Sequence, residues 1–240
     1  MTDDKLLLIE SIPSIKLGFT QMDQDDVNVI NIYIDDNVDR LPDLSSSLVG
    51  QIKQNEKSKQ LEFDLTDLVP KKLGDFFIMC AKEYAAAHPL SSTIRKNIGP
   101  KEEYHINKMW SVHSYAGDYN PMHEHGTVSG RGVSMIAFLK VPPQIEELEK
   151  NYLLANNTGG NTNLQHGNSG ATDGLTQFIW DMNSMYDAPR FQHPTYAHVY
   201  PQVGKVCVFP IWLSHQVSPF FGEGERRTMS CNIDIINSHV

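Results

Sequence analysis

The spacing of apolar and polar positions divides the chain near residue 100. Before that point, Leu6–Ile9 and Ile15–Phe19 are short apolar runs broken by Pro13, and Val27–Ile34 is β-branched and partly alternating. All three are expected to be strands. From Leu48 the texture turns to Gln, Lys, Asn and Glu, compatible with a helix or a surface loop. Pro70–Ala87 then carries apolar residues at helical spacing, with Asp67 placed as a cap and Pro89 just past the end. Its aromatic and Met stripe is the expected packing face against a sheet.

Beyond Tyr104 the chain reads as strands and turns. Lys108–Tyr115 alternates, Ala116–Pro121 supplies turn residues, and Val133–Val141 is an apolar run ended by Pro142 and Pro143. Strand signals return at Leu175–Trp180, Ala197–Tyr200, Lys205–Leu213 and Arg227–Ile236, and no internal repeat is present. Several strands without helical periodicity predict an all-β sandwich or barrel. Residues 155–174 form a Gly/Asn/Thr tract too polar to pack, read as a long surface loop. The expected organisation is one structural domain, with residues 1–100 as flanking strands and a helix, and 101–240 as the core.

Composition narrows the class. With 240 residues, 40% of them hydrophobic, the chain can bury a proper interior. A net charge of −9 lacks the basic face that nucleic-acid phosphates require. Cys80, Cys207 and Cys231 are odd in number and lack CxxC spacing, as buried thiols in a reducing compartment would be. No apolar stretch approaches the ~18 residues that span a bilayer, and Met1–Asp4 is acidic where a secretory signal is basic. A soluble, intracellular, cytoplasmic protein is the expectation, with no membrane or nucleic-acid partner.

Candidate chemistry concentrates in Asn120-Pro121-Met122-His123-Glu124-His125-Gly126. On a strand, His123 and His125 would share one face ~7 Å apart, close enough to bind one metal ion. His88, His105, His166, His193, His198 and His239 lie at termini, in loops or beside Pro and read as solvated or hydrogen-bonded. His113 alternates with Ser111 and Tyr115 and reads as structural. His215 differs, because it follows a tight turn at Gly204, an apolar strand and Pro210, which lets an imidazole point out of a core. Three imidazoles from two separated strands would form one face of a mononuclear iron site.

Downstream, Arg226, Thr228, Ser230 and Asn232 would share one strand face, opposite Arg227, Met229, Cys231 and Ile233. A polar interior face is costly unless it meets a polar ligand, and an Arg there can hold a carboxylate through two parallel hydrogen bonds. The alternative is that Arg226 and Arg227 flank a strand end in solvent, paired with Glu223 or Glu225.

His123-x-His125, His215 and then Arg226 resemble the signature of the 2-oxoglutarate/Fe(II)-dependent dioxygenase superfamily. More narrowly, Asn120–His125, Gly174-Leu175-Thr176-Gln177-Phe178 and Phe209–His215 through Asn232 are similar to a group of bacterial and viral 2-oxoglutarate–Fe(II) oxygenases without an assigned substrate. The resemblance covers about residues 104–236. It implies a mainly β fold with flanking helices, a double-stranded β-helix or jelly roll. It also implies Fe(II) on His123, His125 and His215, and 2-oxoglutarate anchored by Arg226 with Thr228 or Ser230. Tyr115, Asn120 and Trp212 are further pocket candidates. Hydroxylation of a small-molecule or peptide substrate, with release of succinate and CO2, would follow.

The sequence departs from the superfamily in one respect: His125 stands where Asp or Glu is usual, and only an inward-turned Glu124 could restore the carboxylate. Gly117 before His123-x-His125, and Gly204 before Pro210 and His215, also resemble the two cupin motifs, with Ser129 and Gly130 where a Glu is expected. Three-His cupin-like dioxygenases use no 2-oxoglutarate, which makes Arg226 the discriminating residue. A non-catalytic jelly roll binding sugar or a structural metal is the third class.

Overall fold

A computed structural model of the chain describes residues 8–12, 15–46, 52–148, 172–180 and 196–239. Its elements in chain order are β1 (Leu8–Ile12), β2 (Ile15–Gln21), α1 (Gln24–Asn37), β3 (Lys59–Glu62), α2 (Leu68–Ala86), α3 (Ser92–Ile98), β4 (Lys101–Ser114), β5 (Asn120–His123), β6 (Gly132–Lys140), β7 (Thr176–Ile179), β8 (Tyr196–Val199), β9 (Lys205–Pro210), β10 (Ser214–Val217) and β11 (Arg226–Ser238). They form a seven-stranded sheet ordered β1-β2-β9-β6-β11-β4-β3 and a four-stranded sheet ordered β5-β10-β7-β8. The pairings are antiparallel. This is the expected double-stranded β-helix, with β1, β2 and β3 widening its larger sheet.

The large sheet is buried on both faces. One face packs Met109, Met135, Val208, Met229 and Cys231 against Val27, Ile30 and Ile34 of α1 and Phe77, Cys80 and Ala81 of α2. The other packs Ile136, Phe138, Cys207 and Phe209 against Phe178 and Leu213 of the small-sheet side. Side chains alternate along each strand, so neighbouring residues serve different cores. Helix α2 runs where its periodicity predicts. Asp67 occupies its N-cap but spends its carboxylate on the Tyr33 hydroxyl and Arg40 rather than on the helix backbone.

One local expectation fails. Val27–Ile34 is helix, not strand: Val27, Ile30, Tyr33 and Ile34 recur at three- and four-residue spacing and form one buried stripe, with Asp25 and Asp26 in the first turn favoured by the helix dipole. Packing on the sheet overrides β-branched propensity there. The short helix α3 was not anticipated; Ser91 caps it by accepting from the Ile94 N–H. Of the tract at 155–174, only residues 172–174 lie within the described residues.

A buried ion cluster ties the end of β11 to its neighbours. Glu225 accepts from His113 Nδ1 at 2.7 Å and from Arg227 Nε at 2.8 Å, and Arg227 also donates to Asp35 of α1 at 2.6 Å. Burial pushes the Glu225 carboxyl up, but the hydrogen bonds and charges of His113 and Arg227 overcome it and leave the carboxyl at about 2, below its ordinary 4.5. A depressed carboxyl pKa gives stability that is complete above the ordinary value and lost as pH falls toward the folded one. We predict that Glu225→Gln costs about 3 kcal/mol at neutral pH, since the described carboxylate left to Arg227 is then the half-exposed Asp35, with the neutral Asn31 amide beside it. Urea denaturation should find the gap from wild type closing between pH 4.5 and about 2.

Candidate metal centre and cosubstrate cavity

Between the two sheets lies a cavity of about 230 Å³, lined by residues of both. At one side three imidazoles converge. His123 ends β5 and faces His215 of β10 as its register partner. His125 lies past the end of β5, against the expectation that both residues sit within one strand, but its N–H bonds the Ile211 carbonyl at 3.1 Å and holds the segment in place. Ring centroids are 4.3 Å apart for His123 and His215, and 5.1 Å for each of the other pairs. One ligand nitrogen from each lies within 4.8 Å of the others.

The protonation of the cluster follows from its neighbours. His123 Nδ1 lies 2.7 Å from the Pro121 carbonyl and His215 Nδ1 lies 2.9 Å from the Leu213 carbonyl. A carbonyl only accepts, so each Nδ1 carries the proton and each Nε2 keeps a lone pair. Burial lowers His123. It takes His125 to about 4, helped by the charge of His123, and His215 to about 3, helped by both other rings. The three rings are therefore neutral at pH 7. Neutral imidazoles on an enclosed face suit a divalent first-row metal, Fe(II) included. Glu124 lines the cavity at its exposed rim and is not part of the three-histidine cluster.

Arg226 reaches the same cavity, yet only 2% of it is exposed. Its Nε donates to the Gly174 carbonyl at 2.9 Å, its Nη2 donates to the Thr176 hydroxyl at 3.2 Å, and its Cζ sits 5.4 Å from the Phe138 ring centre. Burial lowers its pKa to about 10, so it stays charged at neutral pH. No carboxylate among the described residues pairs with it. Two parallel hydrogen bonds from such a fork match a carboxylate.

Thr228, Ser230 and Asn120 also line the cavity. Tyr115 does not: it lines a separate hollow with Asp35, His113 and Arg227, because it follows β4 on the far side of the sheet. Trp212 is likewise elsewhere, half exposed beside Tyr84 and Gly132. Sequence reasoning missed Thr176, Trp110 and Gln60. Thr176 lay inside a quoted motif, and Trp110 alternates with Val112 on an anticipated strand. Gln60 sits in a polar stretch that gave no signal.

Fold and site together define a double-stranded β-helix protein whose cavity carries a three-imidazole cluster that could hold one metal ion. The family described as "Putative 2OG-Fe(II) oxygenase" matches residues 108–232, and the chain belongs to it. It is a 2-oxoglutarate/Fe(II)-dependent oxygenase, with Fe(II) and 2-oxoglutarate as its cofactors. No curated protein sequence matches. A prolyl-4-hydroxylase from Pseudomonas putida has a similar fold, at TM-score 0.51 and 11% identity over 92% of both chains. The viral collagen prolyl hydroxylase of Paramecium bursaria Chlorella virus-1, in a 2-oxoglutarate complex, aligns at 0.46 and 13% over 92% of this chain and 96% of that one. HygX from Streptomyces hygroscopicus, with nickel and 2-oxoglutarate bound, aligns at 0.45 and 10% over 91% and 82%. Among the described residues no helix is long and apolar enough to cross a membrane.

If His125 is the third ligand, His125→Ala should weaken Mn(II) binding about a hundredfold, the penalty of losing one ligand or its support. Glu124→Gln should leave it unchanged. Anaerobic calorimetry on both variants decides between them, and the reverse ranking would move the third ligand to Glu124.

Proposed function

We propose that the chain hydroxylates a small-molecule or peptide substrate, with a catalytic core in residues 101–240 and the first hundred residues as its flank. His123, His125 and His215 hold Fe(II). Arg226 anchors the far carboxylate of 2-oxoglutarate, with Thr228 or Ser230 beside it. The single observation behind this reading is that a buried guanidinium, without a carboxylate partner among the described residues, opens into the same cavity as three neutral imidazoles. When bound, the pair supplies oxidation by O2: 2-oxoglutarate goes to succinate and CO2, and a substrate C–H bond is hydroxylated.

The protein's own residues bind, orient and exclude water. The carbonyls of Pro121 and Leu213 fix the Nδ1 protons of two rings and aim their Nε2 lone pairs at one point. Gly174 and Thr176 take two donors of Arg226 and thereby direct the remaining ones. Ile136, Val112 and Val217 make the apolar part of the wall, which strengthens each charge interaction inside. A three-His cupin chemistry without 2-oxoglutarate would have no use for Arg226.

Arg226→Met is the direct test, because it removes the charge and keeps a buried apolar side chain. Removing one partner of a buried charge pair costs several kcal/mol, so 2-oxoglutarate affinity should drop about a hundredfold and succinate formation should stop. Mn(II) affinity should survive. Turnover that persists in this variant would overturn the assignment.

A further inference from the structure

Gln60 has a feature that the metal centre and Arg226 do not explain. It lies on β3, the edge strand of the large sheet, outside the residues the family matches. It is 1% exposed, it lines the cavity, and its Nε2 has no hydrogen-bond partner among the described residues. A buried, unsatisfied amide donor is costly and rare in folded proteins. The strand register shows where it points. Gln60 pairs with Val112 of β4, and Val112 pairs with Thr228 of β11, so the three form one row across the cavity face. Leu61, the next residue, faces the opposite core beneath the helices.

The same register places this row between two others. Arg226 pairs with Ser114 one step away along the strand, and Ser230 pairs with Trp110 one step the other way, where the Trp110 ring lies 5.7 Å from that of His125. A ligand reaching from the imidazoles to Arg226 therefore passes over the row that Gln60 ends. The buried polar groups of the lining are Arg226, Thr176, Thr228, Ser230, Gln60 and the three-histidine cluster's His215, without one carboxylate. Such a donor-rich wall is matched to a ligand whose oxygens only accept.

We propose that Gln60 binds 2-oxoglutarate, its carboxamide N–H donating to a carboxylate oxygen from the β3 side while Arg226 holds the cosubstrate from β11. This rests on the reading that 2-oxoglutarate occupies the cavity. Because no acceptor among the described residues holds Nε2, turning the amide toward the ligand breaks no hydrogen bond to them at that nitrogen. The N-terminal flank thus supplies a cosubstrate contact in addition to widening the sheet.

Anaerobic calorimetry of the Mn(II)-loaded protein with 2-oxoglutarate tests it through Gln60→Leu and Gln60→Glu. The Leu variant should raise the Kd for 2-oxoglutarate about tenfold, the worth of one hydrogen bond to a charged group. Mn(II) affinity should not change, and the urea midpoint of the ligand-free protein should stay the same or rise, because an unsatisfied donor has gone. The Glu variant, equal in size, should bind more weakly still because its carboxylate meets an anion. Wild-type binding with an unchanged Kd in the Leu variant would overturn the role of Gln60 alone, as would a fall in urea midpoint and Mn(II) affinity together. A wild-type protein that binds no 2-oxoglutarate would overturn the cavity assignment as well.

Discussion

The arrangement of the site depends on one charge that no carboxylate among the described residues neutralises. Arg226 lies buried between the sheets, where among the described residues it meets the Gly174 carbonyl, the Thr176 hydroxyl and the Phe138 ring. Leaving a cation in that position costs several kcal/mol unless an anion joins it. An anion entering the cavity would supply that compensation. The wall around it is consistent with that, since the buried lining offers hydroxyls, an amide and imidazoles but no carboxylate.

That constraint also bears on His125. With an Asp or Glu in its place, the metal would bring its own negative partner. Three neutral rings bring no negative charge of their own, so a metal held there and Arg226 would both need a counter-charge from a bound ligand. Glu124 stands close in sequence but at the exposed rim, where solvent screens it.

Much of this was legible in the sequence because it depends on alternation. His123-x-His125 and the face Arg226-Thr228-Ser230 are short-range patterns; β11 keeps the second on the cavity side, whereas His125 lies past the end of β5 and reaches the cavity from there. Val27–Ile34 misled because its β-branched residues also fit a helical stripe, and only the sheet beneath decides between the two periods. Tyr115 was misplaced because alternation carries no sign: it says which residues share a face but not which face meets the cavity. Gln60 was invisible for a different reason. Its position is fixed by pairing with a strand about fifty residues downstream, and a polar residue in a polar stretch gives no hint of burial.

Adjacent arginines show how the fold separates two tasks. Arg226 and Arg227 follow one another on β11 and point to opposite faces, so the sheet puts one in the cavity and the other under α1. Arg227 is neutralised by Glu225 and Asp35, and the register of β11 against β6 shifts between Arg227 and Thr228. Such an irregularity re-aims the side chains beside it. The paired arginine ties this end of β11 to α1 on one face while its neighbour, held by the Gly174 carbonyl and the Thr176 hydroxyl, lines the cavity on the other. No member of the ion cluster lines the cavity.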